Sequence, residues 1–161
     1  MDPPRSDRYH LETDASVNRA SPKRDGESGR PIFRSGGGVV LRDRTMKPFE
    51  EHSISLGYLS SVSDAERAAL LWGLRRAAKL GIARLRVRND NLPLMQALNR
   101  ARNEPTYIAA PQLSEVLRIS VSFESVEFRW ARSIHSVQRV DGAHSADFLA
   151  RRACGLGPRS R

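Results

Sequence analysis

Apolar residues recur along the chain with the two periods that distinguish strands from helices. Alternation of apolar with polar or small residues predicts five strands, near residues 9–14, 36–41, 53–58, 82–87 and 126–130. Leu70, Leu74 and Ala77 recur at helical spacing and predict one buried face of a helix over residues 63–80. Further helices are predicted from about Pro93, over 107–119 and from about 143.

The order of these elements predicts an α/β fold with a five-stranded mixed sheet flanked by helices. The first three strands follow one another with short returns, which favours an antiparallel meander. A helix then leads to strand four, and a right-handed crossover would place that strand beside an earlier one. We predict one domain over residues 9–154, a flexible tail over 1–8 and a basic tail over 155–161.

Two segments carry weaker signals. Residues 15–35 are rich in Ser, Gly, Asn and charge, which predicts a long loop or hairpin tip. The three glycines at 36–38 open a strand and no Lys-Ser or Lys-Thr pair follows, so we reject a phosphate loop. We expect close approach between neighbouring strands there instead.

The net charge says more about the expected partner than the overall composition does. The 161 residues carry a formal net charge of +9, which favours an anionic partner, and nucleic acid is commoner than a membrane surface. A merely soluble basic protein is the alternative. The single cysteine, Cys154, excludes an internal disulfide and is expected to pack in a helix. No run could span a bilayer, and we expect a cytoplasmic monomer.

Four acids occur at separate places with a recognisable order. Asp14 and Asp90 end predicted strands, Glu66 lies in the first turns of a helix, and Asp147 lies in the last helix. Each also has a local explanation: an Asx turn for Asp14, a capping box with Ser63 for Glu66, a helix cap for Asp90 and an ion pair with Arg151 for Asp147.

The motifs around these acids resemble ribonuclease H of type 1 and the related reverse-transcriptase-like domains. Residues 13–16 read Thr-Asp-Ala-Ser where the family has T-D-G-S, and residues 65–70 resemble its A-E-x-x-A-L helix start. Residues 89–91 follow strand four where the family has an Asp-Ser pair. Residues 146–150 resemble the closing A-D-x-L-A helix. The resemblance covers about residues 9–154.

The resemblance implies a metal-dependent endoribonuclease that cleaves the RNA strand of RNA–DNA hybrids, leaving a 3′-hydroxyl and a 5′-phosphate. Two Mg²⁺ ions (or Mn²⁺) would be held by Asp14, Glu66, Asp90 and Asp147. Asp14 would bridge the ions, Glu66 and Asp90 would serve the leaving-group side, and Asp147 the ion that activates water. Hard Mg²⁺ prefers such oxygen ligands.

The resemblance also implies supporting residues. His135 lies in the loop where the family often has a histidine that helps to expel product, and His144 is an alternative to it. Ser16, Asn91 and Arg88 are expected to contact substrate. The partner would be an RNA–DNA hybrid, or duplex RNA.

Departures from the family pattern keep other functions open. Ala15 replaces a glycine, and its methyl group could crowd the substrate. Val62, Leu92 and Ala143 replace polar residues. A catalytically silent module that binds hybrid or duplex RNA is therefore the first alternative. A different nuclease or an integrase-like activity on the same fold is the second.

Overall fold

The computed structural model of the chain describes residues 7–132 and 144–159. These ranges contain five strands and four α-helices, with a short 3₁₀ turn at Pro111–Leu113. The strands are β1 (Tyr9–Arg24), β2 (Pro31–Arg42), β3 (Pro48–Leu59), β4 (Arg84–Asn89) and β5 (Ser125–Trp130). The helices are α1 (Val62–Lys79), α2 (Leu92–Asn103), α3 (Ser114–Ser120) and α4 (Ala146–Ala153).

The strands form one mixed sheet in the order β3-β2-β1-β4-β5. The pairs β3–β2 and β2–β1 are antiparallel, and the pairs β1–β4 and β4–β5 are parallel. The predicted α/β fold and mixed sheet are confirmed, and strand four lies beside strand one. Within the two described ranges, no helix is long and apolar enough to cross a membrane.

The first hairpin is much longer than the sequence indicates. β1 continues for ten residues beyond Asp14 and pairs with β2 across an irregularity between Asn18 and Lys23. The prediction of a loop over 15–35 is wrong except for the tip, residues 25–30, where the Asp25 amide donates to the Arg30 carbonyl. Most residues of the outer hairpin are exposed, so its strands lack the apolar alternation that would predict them.

Helices α1, α2 and α3 share one large core with the sheet. Leu70, Leu74 and Ala77 of α1 are fully buried, which confirms the predicted face. The predicted helix over 107–119 is too long, because residues 107–110 are not helical. Ala110 has a ψ of 141°, the extended conformation that a residue before proline favours, and the turn begins only at Pro111.

Helix α4 covers the other face and lies directly on the glycines of β2. A Cβ at Gly38 would stand 1.9 Å from the carbonyl oxygen of Ala146, and one at Gly36 would stand 2.2 Å from that of Ala150. The predicted close approach therefore exists, but it joins the strand to a helix rather than to its neighbouring strands. Because α4 carries Asp147, this contact fixes the height of that carboxylate above the sheet.

We expect Gly38→Ala to lower the free energy of unfolding by about 3 kcal/mol, since neither backbone can move aside without breaking the α4 contact. Gly26→Ala is the matched control, because a Cβ at Gly26 meets nothing within 4 Å. Urea unfolding of both variants measures the difference. Equal stability of the two variants would contradict the packing described here.

Candidate metal centre

Three of the predicted acids meet where the parallel pairing of β1 with β4 stops; Asp90 follows the end of β4, whereas Asp14 lies within β1 and does not end it as predicted. Carboxylate oxygens of Asp14, Glu66 and Asp90 all lie within 4.8 Å of one another. The last pair between β1 and β4 joins Glu12 to Arg88. Asp14 and Asp90 each lie two residues further along and therefore share one face of the sheet.

Glu66 joins this cluster from α1 and does not cap its own helix. The N-cap of α1 is Ser61, whose side chain accepts a hydrogen bond from the Asp64 amide at 3.1 Å. The capping box with Ser63 is thus excluded. Asp90 likewise is not a helix cap, because Asn91 caps α2 by accepting from the Leu94 amide.

The buried side-chain amide of Asn89, which was not among the predicted site residues, hydrogen-bonds to the cluster. Asn89 donates from Nδ2 to Glu66 Oε2 at 3.2 Å and to the Thr13 carbonyl at 3.1 Å. Its Oδ1 accepts from the Asn91 amide. The sequence does contain a signal for this role of Asn89, because Asn89 continues the buried alternation of Leu85 and Val87. A polar side chain on a buried face requires hydrogen-bond partners.

Asp147 lines the same cavity as Asp14 and Asp90, but its oxygens are not among those that lie within 4.8 Å. It is buried, and its carboxylate accepts hydrogen bonds from Arg159. The predicted pairing of Asp147 with Arg151 is not the contact found, since Arg151 donates to the Gly157 carbonyl.

Crowding perturbs the titration of two of these acids. Burial, and next the neighbouring Asp90 carboxylate, raise the pKa of Asp14 from its ordinary 3.8 to about 6. Burial, and next the charge of Asp14, raise the pKa of Glu66 from 4.5 to about 9. Without a cation, these two groups therefore hold protons that ordinary carboxyls would have lost.

The donor set fits a hard divalent cation. Three carboxylates supply oxygen ligands from one small volume, which is the ligand chemistry that Mg²⁺ and Mn²⁺ prefer. A divalent charge would also compensate the repulsion that raises the two pKa values. Asp14, Glu66 and Asp90 are the residues that could hold one such ion.

Other predicted site residues lie around the cavity. Arg88 lines it and is half-buried on β4. Ser16 is buried two residues beyond Asp14 on the same face of β1. Their substrate contacts, and that of Asn91, stay predictions.

The two candidate histidines differ in what can be said of them. His135 lies outside the described residues. The His144 ring faces Glu51 of β3, with Nδ1 at 2.9 Å from Oε2, and stacks on Phe148 with ring centroids 5.0 Å apart. His144 is therefore held on the β3 side of the sheet, whereas the acids lie at β1 and β4.

The residues that depart from the family pattern lie in different parts of the chain. Ala15 packs with Ala65 and Ala69 of α1, so its methyl group lies on the opposite face of β1 from the Asp14 carboxylate. Val62 and Leu92 are the first residues of α1 and α2 and are exposed. Ala143 lies outside the part of the chain that the structure describes.

Solved ribonucleases H share this fold at low sequence identity. RNase H1 of the archaeon Halobacterium salinarum NRC-1 superposes with a TM-score of 0.65 and 20% identity over 91% of this chain and 96% of that one. LC11-RNase H1 in complex with an RNA/DNA hybrid gives 0.62 and 17% over 91% and 96%. The foamy viral protease–reverse transcriptase with an RNA/DNA hybrid gives 0.67 and 17% over 96% and 21%. The fold is ribonuclease H-like.

A family model described as reverse transcriptase-like matches residues 25–151. The chain belongs to this reverse transcriptase-like family. The match includes Glu66, Asp90 and Asp147 and begins after Asp14, which the structure places beside Glu66 and Asp90. No curated protein is significantly similar in sequence to the chain.

The raised pKa values make metal-free stability depend on pH. Because the folded pKa values of Asp14 and Glu66 exceed the ordinary ones, these two groups bind more protons in the folded protein than in the unfolded chain between about pH 4 and about pH 9. The contribution of these two groups to stability in EDTA should therefore fall as pH rises through this range. Thermal melts in EDTA at pH 5 and pH 8 measure the slope.

We expect Asp14→Asn to flatten that slope and to stabilise the metal-free protein at pH 8 by about 1–2 kcal/mol, because it removes one of the repelling charges. Glu27→Gln, at the exposed hairpin tip, is the control and should leave the slope unchanged. Equal pH slopes for the wild-type protein and Asp14→Asn in EDTA would contradict the electrostatic account.

Proposed function

We propose that the protein is a metal-dependent ribonuclease H that hydrolyses the RNA strand of RNA–DNA hybrids and leaves a 3′-hydroxyl and a 5′-phosphate. The convergence of Asp14, Glu66 and Asp90 on one point, with Asp147 lining the same cavity, is the observation that carries the proposal. Membership of the reverse transcriptase-like family and the hybrid complexes of LC11-RNase H1 and the foamy viral enzyme support it.

The four acids have distinct places in this proposal. Asp14, Glu66 and Asp90 would hold one Mg²⁺ or Mn²⁺ ion, and Asp147 would contribute to a second. Bound ions of this kind polarise a phosphoryl oxygen and lower the pKa of water, so that hydroxide becomes available near neutral pH. Asn89 positions Glu66 for this task through its 3.2 Å bond.

Binding of the substrate would depend on arginines that border the acids. Arg88 lines the cavity beside Asp90, within reach of a phosphate that enters it. The long first hairpin adds further cations, since Arg19 lies over the Phe33 ring and Lys23 lies over the Tyr58 ring. Such basic and aromatic surfaces suit a nucleic-acid backbone.

Cleavage of a labelled RNA–DNA hybrid in Mg²⁺ or Mn²⁺ tests the proposal. We expect Asp14→Asn to lower the cleavage rate by at least 100-fold, on the scale at which loss of a transition-state charge contact acts. Duplex RNA and duplex DNA are the comparison substrates, with EDTA as the metal-free control. Preferential cleavage of either duplex would instead assign a different nuclease activity.

The alternative is a catalytically silent binding module, which predicts no cleavage in the same assay. It gives tight, salt-sensitive hybrid binding that neither EDTA nor Asp14→Asn alters, and no product. The exposed apolar residues Val62 and Leu92, at the starts of α1 and α2, are the observation that favours it.

We expect Arg88→Ala to weaken hybrid binding and to reduce the slope of log affinity against log salt by about 1, because one phosphate contact is lost. Arg118→Ala removes the same charge from an exposed position on α3, on the opposite face of the sheet, and serves as the control. Binding isotherms at several salt concentrations, in EDTA to prevent cleavage, give both slopes. Equal slopes for the two variants would remove Arg88 from the interface.

A further inference from the structure

A guanidinium group already neutralises the fourth acid. Arg159 Nε lies 3.0 Å from Asp147 Oδ2 and 3.2 Å from Oδ1, and Nη2 lies 3.0 Å from Oδ1. Both oxygens of Asp147 therefore accept hydrogen bonds in the bidentate geometry that makes Arg–carboxylate pairs strong. The Asp147 side chain is only 2% exposed, whereas that of Arg159 is 44% exposed.

The chain after α4 is folded so as to bring Arg159 to this position. Gly155 has a φ of +80°, which turns the chain back along the helix. The Leu156 amide then donates to the Arg151 carbonyl at 2.8 Å, and Arg151 Nε donates to the Gly157 carbonyl at 2.7 Å. Two contacts thus anchor the segment before Arg159 reaches Asp147.

The other acids of the cluster also affect the pKa of Arg159. Its hydrogen bonds to Asp147 raise its pKa above the usual range, and the charges of Asp14 and Asp90 act in the same direction. The guanidinium thus lies in the field of three aspartates.

We propose that Arg159 is the resting counter-ion of Asp147 and competes with a second divalent ion for that carboxylate. The inference rests on the proposed function, because it assumes that Asp14, Glu66 and Asp90 bind an ion. In the resting protein these three acids then hold a single ion, and Asp147 becomes a metal ligand only when Arg159 leaves.

Calorimetric titration with Mn²⁺, without nucleic acid, tests the competition directly. The wild-type protein should show one tighter and one weaker site. Arg159→Ala should tighten the weaker site about tenfold, which corresponds to about 1.4 kcal/mol, and leave the tighter one within twofold. Arg159→Lys keeps the charge without the planar fork and should fall between the two. Arg118→Ala controls for net charge.

Thermal melts provide a second readout that a purely structural role would not reproduce. In EDTA, Arg159→Ala leaves Asp147 buried beside other carboxylates and should lower the Tm. Saturating Mn²⁺ should remove most of that difference, because an ion then replaces the guanidinium. A Tm difference of equal size in EDTA and in Mn²⁺ would overturn the inference.

The Mn²⁺ titrations distinguish failure of this inference from failure of the proposed function. If Mn²⁺ binds the wild-type protein and Asp14→Asn abolishes the tighter site, but Arg159→Ala changes no affinity, only the competition is wrong. If neither the wild-type protein nor Arg159→Ala binds Mn²⁺, the metal centre itself is wrong, and both proposals fall.

Discussion

Repulsion between buried carboxyl groups is the constraint on which the candidate site depends. Asp14 and Glu66 are both nearly inaccessible to water and face each other beside Asp90. Burial of like charges opposes folding unless protons or cations compensate them. In the structure Asn89 and Arg159 offset part of this cost through hydrogen bonds, and the raised pKa values show that part remains. The fold is arranged so that a divalent cation would be the natural complement.

The scaffold holds the acids in place with contacts that leave little freedom. β1 pairs with strands on both sides, so the position of Asp14 is fixed by the register of the sheet. α4 lies against bare glycine backbone at Gly36 and Gly38, which brings Asp147 close to the sheet. Larger residues at these two positions would lift the helix and the carboxylate with it. Stability of the fold and geometry of the site therefore depend on the same backbone contact.

Periodicity and order predicted the sheet and the buried face of α1, and the family resemblance implied the meeting of four acids, of which the structure brings three within 4.8 Å of one another. They failed where tertiary contacts override local signals. The outer half of the first hairpin lacks apolar alternation because most of its residues are exposed, and its strands are recognised from their pairing in the structure. The capping box at Ser63 had the right spacing, yet Ser61, two residues earlier, caps the helix. Arg159 could not be assigned to Asp147 from sequence, because the contact depends on the turn at Gly155.

Asn89 and Asp90 show how a local interpretation changes once the fold is known. The sequence indicated a strand end followed by a helix cap, and the structure gives that cap to Asn91. The two preceding residues are thereby available to the acid cluster, one as an amide donor and one as a carboxylate. Of these three consecutive polar residues, Asn91 thus caps a helix, whereas Asn89 and Asp90 belong to the acid cluster.

A crystal soaked in Mn²⁺ tests the central claim most directly. Anomalous difference density should show a peak bounded by the carboxylates of Asp14, Glu66 and Asp90, and the same soak of Asp14→Asn should lack it. Mn²⁺ peaks found only elsewhere on the protein, or a peak that persists in Asp14→Asn, would contradict the account.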